Sequence, residues 1–192
     1  MAFLDDAALQ RLGLRALGRN VRISDRAALH NPELLEIGDH SRIDDFCVVS
    51  GRVVLGRHVH LAVFCNLAGG SAGIAMHDFS GLAYGCHVFT QSDDYSGRFM
   101  TNPTVPPELR QIEPRAVVIG RHCIVGTGSI VFPGADLGEG AAVGAASVVK
   151  RAVPPWTVVA GVPARAVAER RRDLLALEPR CAGDAPDAEH PP

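Results

Sequence analysis

Between residues 21 and 153 the apolar positions of this chain recur every six residues. One run comprises Ile37, Ile43, Val49, Leu55, Leu61 and Leu67, and a second comprises Ile119, Val125, Val131, Leu137, Val143 and Val149. Shorter pieces in the same phase, Ile23 with Leu29 and Met76 with Leu82 and Val88, fill most of the remainder. A helical period of 3.6 does not generate this spacing, so a repeat architecture is sought before individual helices and strands. Four positions after the aliphatic stands a small or β-branched residue, among them Ser41, Cys47, Val53, Val59, Cys65, Ser80, Cys86, Cys123, Ser129, Ala135, Ala141 and Ser147. Two inward positions per six residues predict a short flat strand and a turn. Three such units close a triangular coil, and stacked coils pair their strands in parallel around one aliphatic column. The residue after the aliphatic is Gly at 38, 56, 120, 126, 138 and 144, which suits a corner needing positive φ or close backbone approach.

The repeat fails once, between Val88 and Ile119, over TQSDDYSGRFMTNPTVPPELRQIEPR. Counted in faces, the chain leaves after a third face and returns on a first, as an insertion between complete coils should. Long segments without their own repeat are often functional, and a loop outside the core is free to serve chemistry. At the N-terminus Leu9, Leu12 and Ala16 share a helical face and Asp5 and Asp6 suit a helix start, which predicts a short capping helix. After Val153 the double proline Pro154-Pro155 stops the repeat, and 164–177 has the composition and pattern of an amphipathic helix. The expected organisation is a helical cap (1–20), a β-solenoid (21–158, with the insertion at 91–116), a C-terminal segment with a helix (159–178) and a disordered tail (179–192).

Composition sharpens this picture in three places. Aromatics make up only 5% of the 192 residues, so the core must be built from aliphatic and small side chains. A formal net charge of −2 gives no general electrostatic attraction to nucleic acid or a membrane surface, so neither is expected as a partner. No apolar run reaches the roughly 20 residues of a membrane span, and the first residues carry acids where a secretory leader has bases; the expected location is the cytoplasm. Four of the five cysteines (Cys47, Cys65, Cys86, Cys123) fall on the inward small-residue position and read as core filler, while Cys181 reads as a free thiol.

The stretch VVIGRHCIVGTGSIVFPGADLGEGAAVGAASVVKRAVPPWTVVAGVPARAV resembles the C-terminal signature of the hexapeptide-repeat acyltransferases of the galactoside acetyltransferase type. The segments ISDRAALHNPELLEIGDHSRIDDFCVVSG and SDDYSGRFMTNP resemble a narrower bacterial group associated with surface-polysaccharide (lipopolysaccharide) and nucleotide-activated amino-sugar pathways. The resemblance implies a left-handed parallel β-helix, a homotrimer, and transfer of an acyl group from acetyl-CoA or another acyl-CoA to a sugar amino or hydroxyl group, without a metal. It also implies that the acyl donor lies on the C-terminal coils between subunits. Thr127 and Ala145 would contact the pantetheine arm, and Lys150, Arg151 and Arg165 the nucleotide and its phosphates. The other reading of these three cations is a set of solvated charges at coil ends.

Acyl transfer needs a base for the acceptor's proton and donors for the developing oxyanion. In the galactoside-type enzymes a His-Pro in the inserted loop supplies the base; this loop contains no histidine. His40, His58 and His122 share one corner register and read as an exposed ladder without function. His60 and His87 each immediately precede an inward aliphatic, and these two are the candidate bases, with a structural role as the alternative for each. Asp94 could orient a histidine, and Asp93, Tyr95 and Asn102 could bind acceptor hydroxyls, although an Asp-Asp pair also forms turns. Two other classes compete: a non-catalytic solenoid scaffold, and a zinc enzyme like the γ-type carbonic anhydrases, against which stands the lack of a His-x4-His pair.

Overall fold

The computed structural model describes residues 1–181. Three parallel sheets form the walls of a prism. The first sheet stacks Ala16–Leu17, Leu35–Ile37, Val53–Leu55, Ile74–Met76 and Val117–Ile119, and single bridges carry it on through Leu137 to Val153. The second contains Arg22–Ile23, Arg42–Ile43, His60–Leu61, Gly81–Leu82, Ile124–Val125, Ala142–Val143 and Thr157–Gly161. The third contains Ala28–His30, Val48–Ser50, Asn66–Ala68, His87–Phe89, Ile130–Val131 and Val148–Val149. The chain visits the sheets in rotation, so each strand pairs in parallel with the one a full coil away: Leu61 lies beside Ile43 and Leu82, and Leu67 beside Val49 and Val88. This is the left-handed parallel β-helix.

Every aliphatic of the two six-residue runs is buried, and so is every small residue named four positions later. The small polar ones remain satisfied. Ser41 Oγ donates to the Gly56 carbonyl at 2.8 Å, and Ser129 Oγ to that of Gly144 at 2.9 Å. The cysteines imitate them, with Cys65 Sγ 3.1 Å from the Ala83 carbonyl and Cys123 Sγ 3.0 Å from that of Gly138. They are free and buried, and burial pushes the Cys123 thiol up to about 11, which makes it inert filler. The glycines after the aliphatic serve close approach, not positive φ: a Cβ on Gly38 would lie 2.6 Å from the backbone of Gly56 on the next coil. Positive φ falls two residues further on, at His40, His58, Phe79 and His122 along one corner and at Phe46, Phe64, Gly85, Gly128 and Ala146 along another.

Three expectations need correction. The N-terminal helix is only Asp6–Arg11, capped by the Asp5 carboxylate on the Ala8 N–H, and Ala16–Leu17 already belongs to the first sheet. The C-terminal helix does not form. Ala164–Glu169 is a strand that turns back after Gly161 and pairs antiparallel with Thr157–Gly161, because the last coil leaves a sheet edge whose N–H and C=O groups need partners. Short 3-10 turns follow at Asp173–Ala176 and Glu178–Arg180. The histidine corner is a stacked column rather than an exposed ladder: ring centroids of His40, His58, Phe79 and His122 succeed one another at 4.8, 4.8 and 5.2 Å. Glu178 seals its end, accepting from His122 Nε2 at 2.9 Å and pairing with Arg121, so that His122 is buried. The tail from residue 182 onward, expected to be disordered, lies outside the described residues.

Candidate active site

The insertion is rooted by Thr90, whose buried hydroxyl donates to the Gly69 carbonyl at 2.7 Å and whose own carbonyl accepts from the Arg115 N–H at 2.8 Å. Between these roots the chain, with Pro133 of a later coil, lines an open cavity of about 540 Å³. Asp93, Asp94, Tyr95, Arg98, Glu113 and Arg115 are among the residues that line it. Three of the predicted loop residues therefore meet in one place. Asn102 does not; its Oδ1 accepts from the N–H and hydroxyl of Thr104, and with φ 74 it shapes a turn.

Asp94 is engaged by its own loop. Its carboxylate accepts from the Ser96 N–H (3.0 Å), the Ser96 hydroxyl (3.0 Å), and the N–H groups of Arg98 (3.1 Å) and Phe99 (3.3 Å). These donors, the Ser96 amide foremost, hold its pKa below the ordinary carboxylate range. Asp94 fixes the shape of the cavity wall, and a carboxylate so held gives up little of its charge to a proton.

His60 opens its strand on the second sheet, with its side chain 49% exposed. Its Nε2 lies 2.9 Å from Oδ2 of Asp44, a carboxylate only 5% exposed. Asp44 Oδ1 accepts from Arg42 Nε at 2.5 Å. Sequence reasoning missed Asp44, though a signal existed: the residue after the inward aliphatic on this sheet is Ser24, Ala62, Ala83, Gly126 and Gly144 on other coils, and only here an acid. An imidazole whose Nε2–H is held by a buried carboxylate presents Nδ1 as its basic nitrogen. His87 is exposed on the third sheet, between Asn66 and Ile130 in register. The two histidines thus occupy different walls, and the insertion cavity opens at the corner beyond the third.

The residues assigned to the acyl donor are also distributed. Thr127 and Ala145 are exposed on successive coils at the corner between the second and third sheets, linked by the Ala146 N–H donating to the Thr127 carbonyl at 2.8 Å. Lys150 leaves the far edge of the third sheet with its Nζ 5.2 Å from the Phe132 ring centroid, and Arg151 follows it. Arg165 lies on the C-terminal hairpin opposite Ala160. Among the described residues no group of three or more His, Cys, Asp or Glu could hold a metal ion, and no helix is long and apolar enough to cross a membrane.

No family profile matches the chain, but individual proteins do. It is 40% identical over 181 residues to the dTDP-4-amino-4,6-dideoxy-D-glucose acyltransferase of Escherichia coli, covering 93% of this chain and 94% of that one. The putative colanic acid biosynthesis acetyltransferase WcaF of Escherichia coli K12 is 27% identical over 166 residues, 85% of this chain and 74% of its own. Among solved structures, the N-acyltransferase AntD of Bacillus cereus, in complex with dTDP and 3-hydroxybutyryl-CoA, superposes with a TM-score of 0.92 at 38% identity over 94% of this chain and 96% of its own. A single-residue variant of AntD holds dTDP-4-amino-4,6-dideoxyglucose and coenzyme A, with a TM-score of 0.93 at 38% identity over 96% and 99%. Fold and relatives together define an acyl-CoA-dependent sugar acyltransferase. The chain belongs to the hexapeptide-repeat acyltransferases, in the family of the Escherichia coli dTDP-amino-sugar enzyme.

Proposed function

We propose that the protein N-acylates the amino group of a dTDP-linked 4-amino-4,6-dideoxy sugar in the cytoplasm, as a step toward a surface polysaccharide. The observation that carries this reading is the chemistry of the insertion cavity. Of its carboxylates, Asp93 and Glu113 suit sugar hydroxyls and an amine; its guanidiniums, Arg98 and Arg115, suit a diphosphate, the latter paired with Glu113 at 3.1 Å. At about 540 Å³ it falls in the ordinary range for a small-molecule site.

In the reaction the amine nitrogen attacks the thioester carbonyl, the C–N bond forms and the C–S bond breaks. The amine's proton passes to a base and on to the departing thiolate. His60, steadied by Asp44, is the favoured base, and His87 the second candidate. Asp94 acts by shaping the loop, while Tyr95 borders the acceptor site with Asp93. Asn102 supports this site by shaping the turn of the inserted loop. Thr127 and Ala145 line the path of the pantetheine arm, and Lys150, Arg151 and Arg165 serve the donor's nucleotide end.

One chain alone keeps the insertion cavity and His60 on different sides of the prism, which favours a trimer in which the loop of one copy meets the coils of the next. The test is steady-state kinetics with the dTDP-linked amino sugar and acetyl-CoA. Asp93→Asn and Arg115→Ala should raise KM for the acceptor by about tenfold each while leaving KM for the CoA thioester unchanged. Unchanged acceptor KM in both variants would remove the cavity from the reaction.

A further inference from the structure

The same register position is used differently at two corners of the prism. Where the first sheet turns into the second, rings fill it on four coils without a gap, His40, His58, Phe79 and His122. Where the second turns into the third, Phe46 and Phe64 stack at 5.1 Å with their planes 13° apart, and then the column of rings stops. The next coils carry Gly85, Gly128 and Ala146 in the same left-handed conformation. A Cβ built on Gly85 or Gly128 would meet no heavy atom within 4 Å. Phe64 itself adopts φ 66, so glycine is not demanded there by backbone geometry. The open space beside the Phe64 ring is a property of the residues chosen.

The exposed aromatics of this ridge need a reason. Phe46 is 46%, Phe64 59% and Tyr84 61% exposed, in a chain with only seven phenylalanines and two tyrosines. Arg26 covers the far end of the stack, its guanidinium carbon 5.8 Å from the Phe46 centroid, so the outer face left for a partner is that of Phe64 toward Gly85. Exposed Tyr84 immediately precedes Gly85 on this corner, and Thr127 holds the equivalent place one coil on.

We infer that Phe64, at the end of its stack with Phe46 and left open by Gly85 and Gly128, is a stacking platform for the nucleobase of one of the two nucleotide-bearing substrates. The inference rests on the acyltransferase reading. A planar heteroaromatic ring continues the column where the glycines end it, and such stacking tolerates any base because every base has a π-face. Thr127 and Ala145 place the acyl donor further along the corner, which leaves the acceptor's base as the expected occupant.

Isothermal titration of the full-length protein with dTDP and, separately, with coenzyme A distinguishes the two sources. Phe64→Leu should weaken one nucleotide about tenfold and leave the other unchanged. Phe64→Trp should retain affinity within about twofold, since a larger ring preserves the platform. Gly85→Phe, which extends the ring stack, should abolish binding of that same nucleotide while the protein stays folded by circular dichroism. Loss confined to dTDP assigns the platform to the acceptor, and loss confined to coenzyme A assigns it to the donor. Two results overturn the inference: Phe64→Leu leaves both affinities unchanged, or it alters the oligomer's mass by light scattering, which makes the ridge an interface between copies. Wild-type protein that binds neither nucleotide overturns the acyltransferase reading and this inference together.

Discussion

Replacing Asp44 by asparagine keeps the shape of the side chain and changes what it asks of His60. The carboxylate can only accept, so the imidazole must carry its proton on Nε2, 2.9 Å away. An asparagine amide can donate instead, which lets the ring move its proton to Nδ1 and so removes Nδ1 as the basic nitrogen. A positioned general base contributes about 10²- to 10⁴-fold, equivalent to roughly 3–5 kcal/mol of barrier. The cost to stability should be much smaller. A charge-assisted hydrogen bond is worth about 1.5–3 kcal/mol when desolvated, but Arg42 and His60 are 39% and 49% exposed and can turn to water, leaving about 1 kcal/mol. Asp44→Asn should therefore lower kcat by at least about tenfold with the acceptor KM nearly unchanged, and shift the urea midpoint only slightly. The assay is initial-rate thiol release at saturating acyl-CoA, run beside His60→Ala and His87→Ala. If His60→Ala is inactive while Asp44→Asn retains kcat within about threefold, the tautomer argument is wrong. If His60→Ala keeps full activity, the base is elsewhere.

Other expectations concern the fold. Leu67, fully buried between Val49 and Val88, should cost about 2–5 kcal/mol on truncation to alanine, and half-buried Leu17 on the first coil clearly less; equal urea-midpoint shifts would refute a core that tightens toward the middle coils. Gly38→Ala should destabilise by about 1–3 kcal/mol, since its Cβ would press on the backbone of Gly56 at 2.6 Å; an unchanged melting temperature would mean the coils separate freely. Burial first, with neighbouring His40 and Arg57, lowers the His58 pKa below 6.5, and burial with Arg121 lowers that of His122. The unfolded chain then takes up protons before the folded one, so stability is complete above pH 6.5 and declines as pH falls below it. His58→Phe, the residue this column already uses at position 79, should flatten that decline in urea titrations between pH 7 and 5.

The sequence-derived reading succeeded where one residue determines its own environment. A six-residue spacing puts Leu61 or Val125 inside whichever coil it occupies, because inward and outward positions alternate by local geometry alone. It failed where the outcome depended on an edge. The segment Ala164–Glu169 has the composition of a helix, yet the unpaired side of Thr157–Gly161 captures it as a strand, and tertiary pairing outweighs propensity. The insertion was legible as a break in the repeat, and Asp93, Asp94 and Tyr95 do share its cavity. Its internal hydrogen bonds were not legible: Asp94, expected to orient a histidine, accepts from the Ser96, Arg98 and Phe99 amides of its own loop. Asp44 stayed hidden because an outward residue's partner sits a coil away, and the period says which residues are neighbours but not which of them are chemically paired.

The central claim is acyl transfer to the amine of a nucleotide-linked sugar. Its most direct test is incubation of the purified protein with acetyl-CoA and dTDP-4-amino-4,6-dideoxyglucose, with the 4-hydroxy analogue as control, following free thiol and the mass of the sugar nucleotide. The account predicts stoichiometric thiol release and a sugar nucleotide heavier by one acetyl group with the amine alone. Wild-type protein that releases no thiol and leaves the amino sugar unmodified would contradict it.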